Sequence, residues 1–527
     1  MKRINLLMSL IIILALIIRL VIAWQSVPLL DGKMLLDDAF YGFSIARQIA
    51  SGHGITYNGI DKTNGMQPLL ILLITPVFLF TSDLYLAVNI ALTIIAIIDT
   101  LVVFLVYKLA KQYFTEKVGL LAAFIWAINP MIFFQTMNGL EVSLYILMIF
   151  ITLLYYKKIK DNITLKNISV LGVLLGLTFL SRGDGVFLFI VILFHMLFFN
   201  KKVRHLYLIP FIIVTVLVVS PWLLYSYFTF GTIQQSSFLA NYYASHGIIP
   251  FYDYKPPVNL NEVLSRIFES FFRGFGALVH QIGVIDFLSL SLGTIVLIPF
   301  LLLTVYALLK NFKIVIIPIL FSVLLFLFYA GYFWVLNIRY LTPIMPFLII
   351  LESVGILELT KFKKSVFFIL LACLICGLVF NGVTQWNRGY VPWQAEIYND
   401  ALWINENTPK DAIVASFASG NIIYFSNRTV LGMDGVVDYN AINVILQKKV
   451  YSYWKERNVT YWVESSYHNQ TVIDRWERGK FDIIRENQWY NVLGSEAKLE
   501  LIRNRCNVYK HMRGFDMLIC FYIMKVD

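Results

Sequence analysis

Apolar residues in this chain come in blocks. Runs near twenty residues long, with few charges inside them, recur over the first 383 positions. A helix needs about that length to cross the hydrocarbon core of a bilayer, roughly 30 Å. The pattern predicts spans at 4–24, 84–107, 118–135, 140–156, 168–181, 185–200, 206–228, 284–309, 314–334, 340–359 and 365–383, about eleven in all. Residues 69–80 are also apolar, but the run is short, so it reads as interfacial or re-entrant. Beyond 383 the blocks stop. There 412–417 and 459–464 read as strands and 440–456 as a helix. The expected fold class is an all-α polytopic membrane domain over 1–383, followed by a soluble, mixed α/β domain over 384–527. A separate stripe over 259–275 (Leu260, Val263, Leu264, Ile267, Phe268 and onward) has the spacing of one helix face, with Asn259 and Glu262 as a capping pair. That face suits equally a helix lying on lipid and one packed on the protein.

Composition narrows the class further. The chain of 527 residues is 59% hydrophobic and 14% charged, against roughly 25% charged in an average soluble domain. Its formal net charge of +11 would raise nucleic acid as a partner in a soluble protein. Here the basic residues form short clusters between apolar blocks. With Lys2-Arg3 placed in the cytoplasm, alternation of the spans puts 108–117, 157–167, 201–205, 310–313 and 360–364 there too. These segments and the N-terminus hold 17 basic residues against Glu116, Asp161 and, just before the last segment, Glu358. That is the charge bias of cytoplasmic loops, so no nucleic-acid partner is expected. The run from Lys2 to Trp24 reads as an uncleaved first span. The expected location is the plasma (inner) membrane, with the N-terminus cytoplasmic and the C-terminal domain extracytoplasmic.

That orientation gathers polar residues on the outer face. Asp37-Asp38 follow the first span, Glu141 lies in Asn138-Gly139-Leu140-Glu141, Arg182 and Asp184 lie in Ser181-Arg182-Gly183-Asp184-Gly185, and Arg339 precedes Tyr340. A carboxylate can take the proton of an attacking hydroxyl. Arginine grips phosphate through a forked pair of charge-assisted hydrogen bonds. Acids beside arginines therefore suggest group transfer from a phosphate-bearing donor. Short outer turns are polar in any case, and a lone charge at a span end is more often solvated than catalytic. Within the spans, Arg19 reads as a snorkelling side chain, while Asp99 and Glu352 are costly ionisable groups with no partner evident in the sequence. Cys506 and Cys520 are disulfide candidates if their domain lies outside. No spacing of histidines or cysteines suggests a structural metal.

The order of these stretches resembles the GT-C superfamily of polyprenyl-phosphate-sugar-dependent glycosyltransferases, similar to the protein O-mannosyltransferases and the lipid A aminoarabinose transferase. The resemblance starts at Leu36-Asp37-Asp38-Ala39-Phe40-Tyr41 and Ala46-Arg47-Gln48-Ile49-Ala50-Ser51-Gly52-His53-Gly54. It continues through the turns at 138–141 and 181–185, Pro221-Trp222 with Phe230-Gly231, and Arg339-Tyr340 with Pro343 and Pro346. It implies an inverting transfer from a sugar on polyprenyl or dolichyl phosphate to a glycan, lipid or protein acceptor, on the extracytoplasmic side. Asp37 would be the general base and Asp38 its support or the acceptor's holder. Arg182 and Arg339 would bind the donor phosphate, and Glu141, Asp184 and His53 are further site candidates. The pair is Asp-Asp where several members carry Asp-Glu. No cofactor is expected to be required, and a divalent metal has no dense acidic cluster to support it. Two other readings stay open: a ligase or polymerase using a lipid-diphosphate oligosaccharide, and a transporter or flippase.

Overall fold

A computed structural model of the chain describes residues 2–199, 205–245, 259, 261–266, 268–269, 290–332, 338–359, 364–389, 391, 393–468, 493, 498–510 and 516–526. Within these residues every apolar block forms helix. Among the described residues six helices are long and apolar enough to cross a membrane: Arg3–Ala23, Leu84–Tyr113, Val142–Ile159, Leu208–Phe230, Ile338–Leu359 and Phe367–Asn387. Glu116–Ile128 and Pro130–Thr136 form a further span if taken together, bent by 68°. The bend has a local cause. Pro130 restricts Asn129 to extended backbone and brings no N–H, while the Asn129 side chain caps the new helix by accepting from Met131 N at 3.0 Å.

The count of eleven spans is not confirmed. Leu165–Ser181, Val186–Phe198 and Ile316–Tyr332 have 17, 13 and 17 residues. At about 1.5 Å rise per residue, none reaches the roughly 30 Å of a hydrocarbon core. The segment at 69–80 becomes two short helices, Pro68–Ile74 and Val77–Phe80, neither long enough to span. Most of the 259–275 stripe lies outside the described residues. Where it is described, Asn259 Oδ1 accepts from Glu262 N at 3.0 Å, and Leu264 and Phe268 are exposed.

Apolar side chains turned outward mark the lipid-facing surface. Leu6, Leu10, Ile13, Ile17 and Val21 form one exposed stripe of the first helix, with the spacing of a single helical face. The opposite face of that helix carries Arg19, which is fully buried and does not snorkel. Its Nε donates to Asp99 Oδ2 at 2.6 Å, and Nη1 donates to the carbonyls of Ala15 and Ala127. Thr136, just past the bend, donates to the same Asp99 oxygen at 3.1 Å. Asp99 thus has the partner its sequence position left unnamed, and the pair ties three helices together. Glu352 is buried, with no hydrogen-bond partner for its carboxylate among the described residues.

The last membrane helix, Lys364–Arg388, runs past residue 383 into the soluble domain. That domain opens with the helix Gln394–Asn407 and holds β1 (Ile413–Ser416), β2 (Thr429–Gly432), β3 (Tyr461–His468), β4 (Leu499–Lys510) and β5 (Asp516–Val526). The sheet order is β2-β1-β3-β5-β4, parallel across the first three strands and antiparallel across the last three. The expected helix at 440–456 is two helices, Tyr439–Leu446 and Val450–Glu456, parted where Lys448 takes a positive φ of 55°. Cys506 and Cys520 face each other on β4 and β5 and form a disulfide.

The two domains meet over the first loop. Phe40 packs on Phe425 (ring centroids 5.2 Å apart) and on Tyr424 (5.6 Å). Tyr57 donates to Asp438 at 3.0 Å, and Arg457 pairs with Asp61 at 2.6 Å. The soluble domain is therefore bonded to the segment that carries the acidic pair.

Candidate active site

Asp37 and Asp38 are the first two residues of the helix Asp37–Ala50. Acids belong there, because unpaired N–H groups make the start of a helix positive. Ala39, Phe40, Phe43 and Ala46 bury the helix's apolar face and fix its rotation. The turn at 138–141 lies beside it, with Leu36 N donating to Asn138 O at 3.4 Å. Gly139 has a φ of +85°, and an added Cβ would stand 2.6 Å from that of Ala39. Only glycine fits both the turn and the contact.

The two acids then diverge. Asp37 turns its carboxylate to the soluble domain, where Oδ2 accepts from Gly420 N at 3.0 Å and Oδ1 from Asn421 N at 2.8 Å. Burial pushes this carboxyl up to about 6, against the downward pull of those two N–H groups and with the charge of Asp38 adding to the rise. Asp38 turns to a cavity of about 410 Å³ and pairs with Arg339 Nη1 at 2.7 Å. Asp38 is the more open partner, 37% exposed against 13% for Arg339. Arg339 Nη2 also donates to Tyr340 Oη at 3.0 Å.

Arg182 follows the helix Leu165–Ser181 and enters the cavity wall buried. Its Nη2 donates to Asp184 Oδ2 at 2.8 Å and to Tyr329 Oη at 2.9 Å, and Tyr329 donates to the same Asp184 oxygen at 2.7 Å. The guanidinium lies over the rings of Tyr145 and Tyr340, at 5.1 and 5.2 Å. Its Nη1 is buried with no hydrogen-bond partner among the described residues. An unpartnered N–H on a buried cation costs free energy until an acceptor arrives. Glu141, at the start of the helix Val142–Ile159, completes the charged wall.

Of the seven residues proposed from sequence, Asp38, Glu141, Arg182, Asp184 and Arg339 line this one cavity. Asp37 adjoins it but faces away. His53 is exposed and bonded to Gln48 at 2.7 Å, outside the lining. The rest of the wall divides by chemistry. Gln67, Gln235 and Asn241 give uncharged polar groups, while Ile71, Ile74, Phe179, Phe187 and Leu223 are apolar. The polar residues come from segments with no recognisable spacing, so the sequence carried no signal for them.

Residues 65–225 match the dolichyl-phosphate-mannose-protein mannosyltransferase family. The fold is that of ArnT from Cupriavidus metallidurans bound to undecaprenyl phosphate, at 11% identity and a TM-score of 0.56, with 97% of each chain covered. The family match covers under a third of the chain, and at these identities the structural likeness is one of fold. The apo form of the same ArnT gives a TM-score of 0.56 at 10% identity, again over 97% of each chain. The archaeal oligosaccharyltransferase AglB from Archaeoglobus fulgidus, in complex with an inhibitory peptide and a dolichol-phosphate, shares the fold at 15% identity and a TM-score of 0.56. That match covers 86% of this chain and 69% of AglB. Residues 389–509, most of the soluble domain, match a domain of unknown function (DUF8728). No curated protein matches the chain.

Proposed function

We propose that this protein is a GT-C glycosyltransferase that moves a single glycosyl group from a polyprenyl-phosphate donor to an acceptor hydroxyl at the extracytoplasmic membrane face, with inversion, and that Asp38 is the general base. The observation that carries the reading is the cavity wall itself: one acid, Asp38, paired with Arg339 and facing the same space as the buried, half-satisfied Arg182. The donor phosphate would take Arg182 Nη1 as a donor and draw Arg339 away from Asp38. The freed carboxylate accepts the proton of the acceptor hydroxyl as its oxygen bonds to the anomeric carbon. The bond from that carbon to the phosphate oxygen breaks, and polyprenyl phosphate leaves with the electron pair, held by both arginines. A single displacement inverts the anomeric centre. The apolar wall at Ile71, Ile74 and Leu223 suits the first isoprene units of the lipid.

This reading exchanges the roles that the resemblance gave the acid pair, because the Asp37 carboxylate already accepts two backbone N–H groups. End-to-end coverage of the ArnT fold, bound in that structure to a lipid monophosphate, supports a monophosphate donor. The test is to incubate the purified protein in lipid nanodiscs with polyprenyl-phosphate sugars and a panel of acceptors. Product of inverted anomeric configuration, with release of polyprenyl phosphate, is expected. Turnover of diphosphate-linked oligosaccharides alone would replace this reading by that of a ligase.

A further inference from the structure

The acidic loop is held from two sides, and one of them is the soluble domain. Besides accepting from Gly420 N and Asn421 N, Asp37 donates its own backbone N–H to Gln394 Oε1 at 3.1 Å. Gln394 is buried, and its Nε2 donates to Asp31 Oδ1 at 2.5 Å and to Leu35 O at 3.4 Å. The Asn421 side chain donates to both oxygens of Asp31, at 3.1 Å each. One turn further on, Tyr41 meets Ser419 Oγ at 2.8 Å and donates to Asp434 in a short bond. Residues 31–41, which include Asp38, are thus bonded at Asp31, Leu35, Asp37 and Tyr41 to Gln394, Ser419, Gly420, Asn421 and Asp434. The approach is close enough to exclude a side chain: a Cβ on Gly420 would stand 2.1 Å from the Asp37 carbonyl oxygen and 2.7 Å from its Oδ1.

We infer that the soluble domain is a working part of the active site, and that Gly420 and Asn421 are positioning residues that set Asp38 by gripping its neighbour Asp37. The inference rests on the proposed reaction for its catalytic consequence, but the grip is a property of the chain alone. Asp37 and Asp38 are adjacent on one helix turn, so fixing the first carboxylate fixes the backbone from which the second projects. A proton acceptor displaced by about 1 Å loses on the order of a hundredfold in rate. Substrate affinity, set by Arg182 and Arg339, is left largely alone. This gives the domain at 389–509 a role other than that of a cap.

Three proteins test it: wild type, Gly420→Ala and Arg428→Ala. Arg428 braces the soluble domain internally, with Nη2 donating to the carbonyls of Asn405 and Thr408 at 2.8 and 2.7 Å and Nε donating to Thr408 Oγ1 at 3.1 Å. Its loss therefore weakens the domain without touching the grip. Gly420→Ala is expected to speed hydrogen exchange over residues 34–44 and lower kcat about a hundredfold at nearly constant donor KM. Arg428→Ala is expected to lower Tm with exchange over 34–44 and kcat unchanged. Unchanged exchange and kcat in Gly420→Ala overturn the inference. So does an equal loss of kcat in Arg428→Ala at a matched loss of Tm, which would mean that the domain only stabilises the chain. A wild type that turns over no polyprenyl-phosphate sugar overturns the reaction instead, and the exchange of 34–44 then decides on its own whether the grip exists.

Discussion

At the scale of single residues, Arg182 shows how a cation is kept ready. Asp184 and Tyr329 take up one arm of its guanidinium, three aromatic rings surround it, and the other arm has no hydrogen-bond partner among the described residues. Lysine keeps the charge but not the fork. Arg182→Lys should therefore raise the donor KM by tenfold or more, since a charge-assisted hydrogen bond contributes about 1.5–3 kcal/mol. Steady-state kinetics over donor concentration checks this, and an unchanged KM would remove Arg182 from the donor site. Glu141, Arg182, Asp184 and Arg339 were legible as neighbours because each sits in a short turn at the end of an apolar block, where the chain must be polar. The partners of Asp37 were not legible. Gly420 and Asn421 lie 383 and 384 positions away, and what they contribute is backbone N–H, which every residue but proline carries.

At the scale of elements, the buried pair of Arg19 and Asp99 ties helices together. It joins the first helix, the Leu84–Tyr113 helix and the broken Glu116–Thr136 pair at a depth without water. Removing one member leaves a buried charge unpaired, which costs about 3–5 kcal/mol. Asp99→Ala should therefore lower Tm sharply, and the double variant Arg19→Met with Asp99→Leu should recover much of the loss. Thermal unfolding in one detergent measures both, and an additive double variant would mean that the pair is not coupled. Apolar blocks announce helices plainly; although the blocks at 69–80 and 118–135 are each two helices and the count of eleven spans is not confirmed, their presence was legible in the described residues. Their reach was not. Val186–Phe198 turns Val186, Ile190, Phe194 and Leu197 outward and buries Leu188, Val191, Ile192 and Met196, yet it has only 13 residues, so apolarity on both faces does not give the reach of a span. The break at Lys448 was missed for a related reason: its positive φ is set by the packing of two short helices, not by a glycine or proline that marks turns in a sequence.

At the scale of the whole molecule, the interface between the domains is rich in buried acids. Burial pushes Asp434 and Glu464 up to about 8 and Asp31 up to about 7. Unfolded, these carboxyls would titrate near 4. The folded chain therefore binds more protons than the unfolded one between about pH 4 and 8. Stability is full at the acid end of that window, declines as pH rises through it, and levels off above about 8. Tm should fall between pH 5.5 and 8.5, and Asp434→Asn should flatten the slope. A Tm that rises across the window would show that these acids are ionised and satisfied in the fold. Apolar helices followed by a C-terminal region that carries a sheet were legible from where the apolar blocks stop. That the C-terminal region bonds to residues 31–41 was not, since the contact joins positions more than 350 residues apart.

The most direct test of the central claim compares the two adjacent acids. Transfer of radiolabelled sugar from polyprenyl-phosphate donors is followed for wild type, Asp38→Asn and Asp37→Asn, each shown to be folded and inserted. The Asp38 variant should lose on the order of a thousandfold or more in kcat, the usual range for a general base. The Asp37 variant, which keeps an acceptor oxygen for one of its two N–H partners, should lose less. Full activity in the Asp38 variant, with activity abolished in the Asp37 variant, would contradict the assignment and return the base to Asp37.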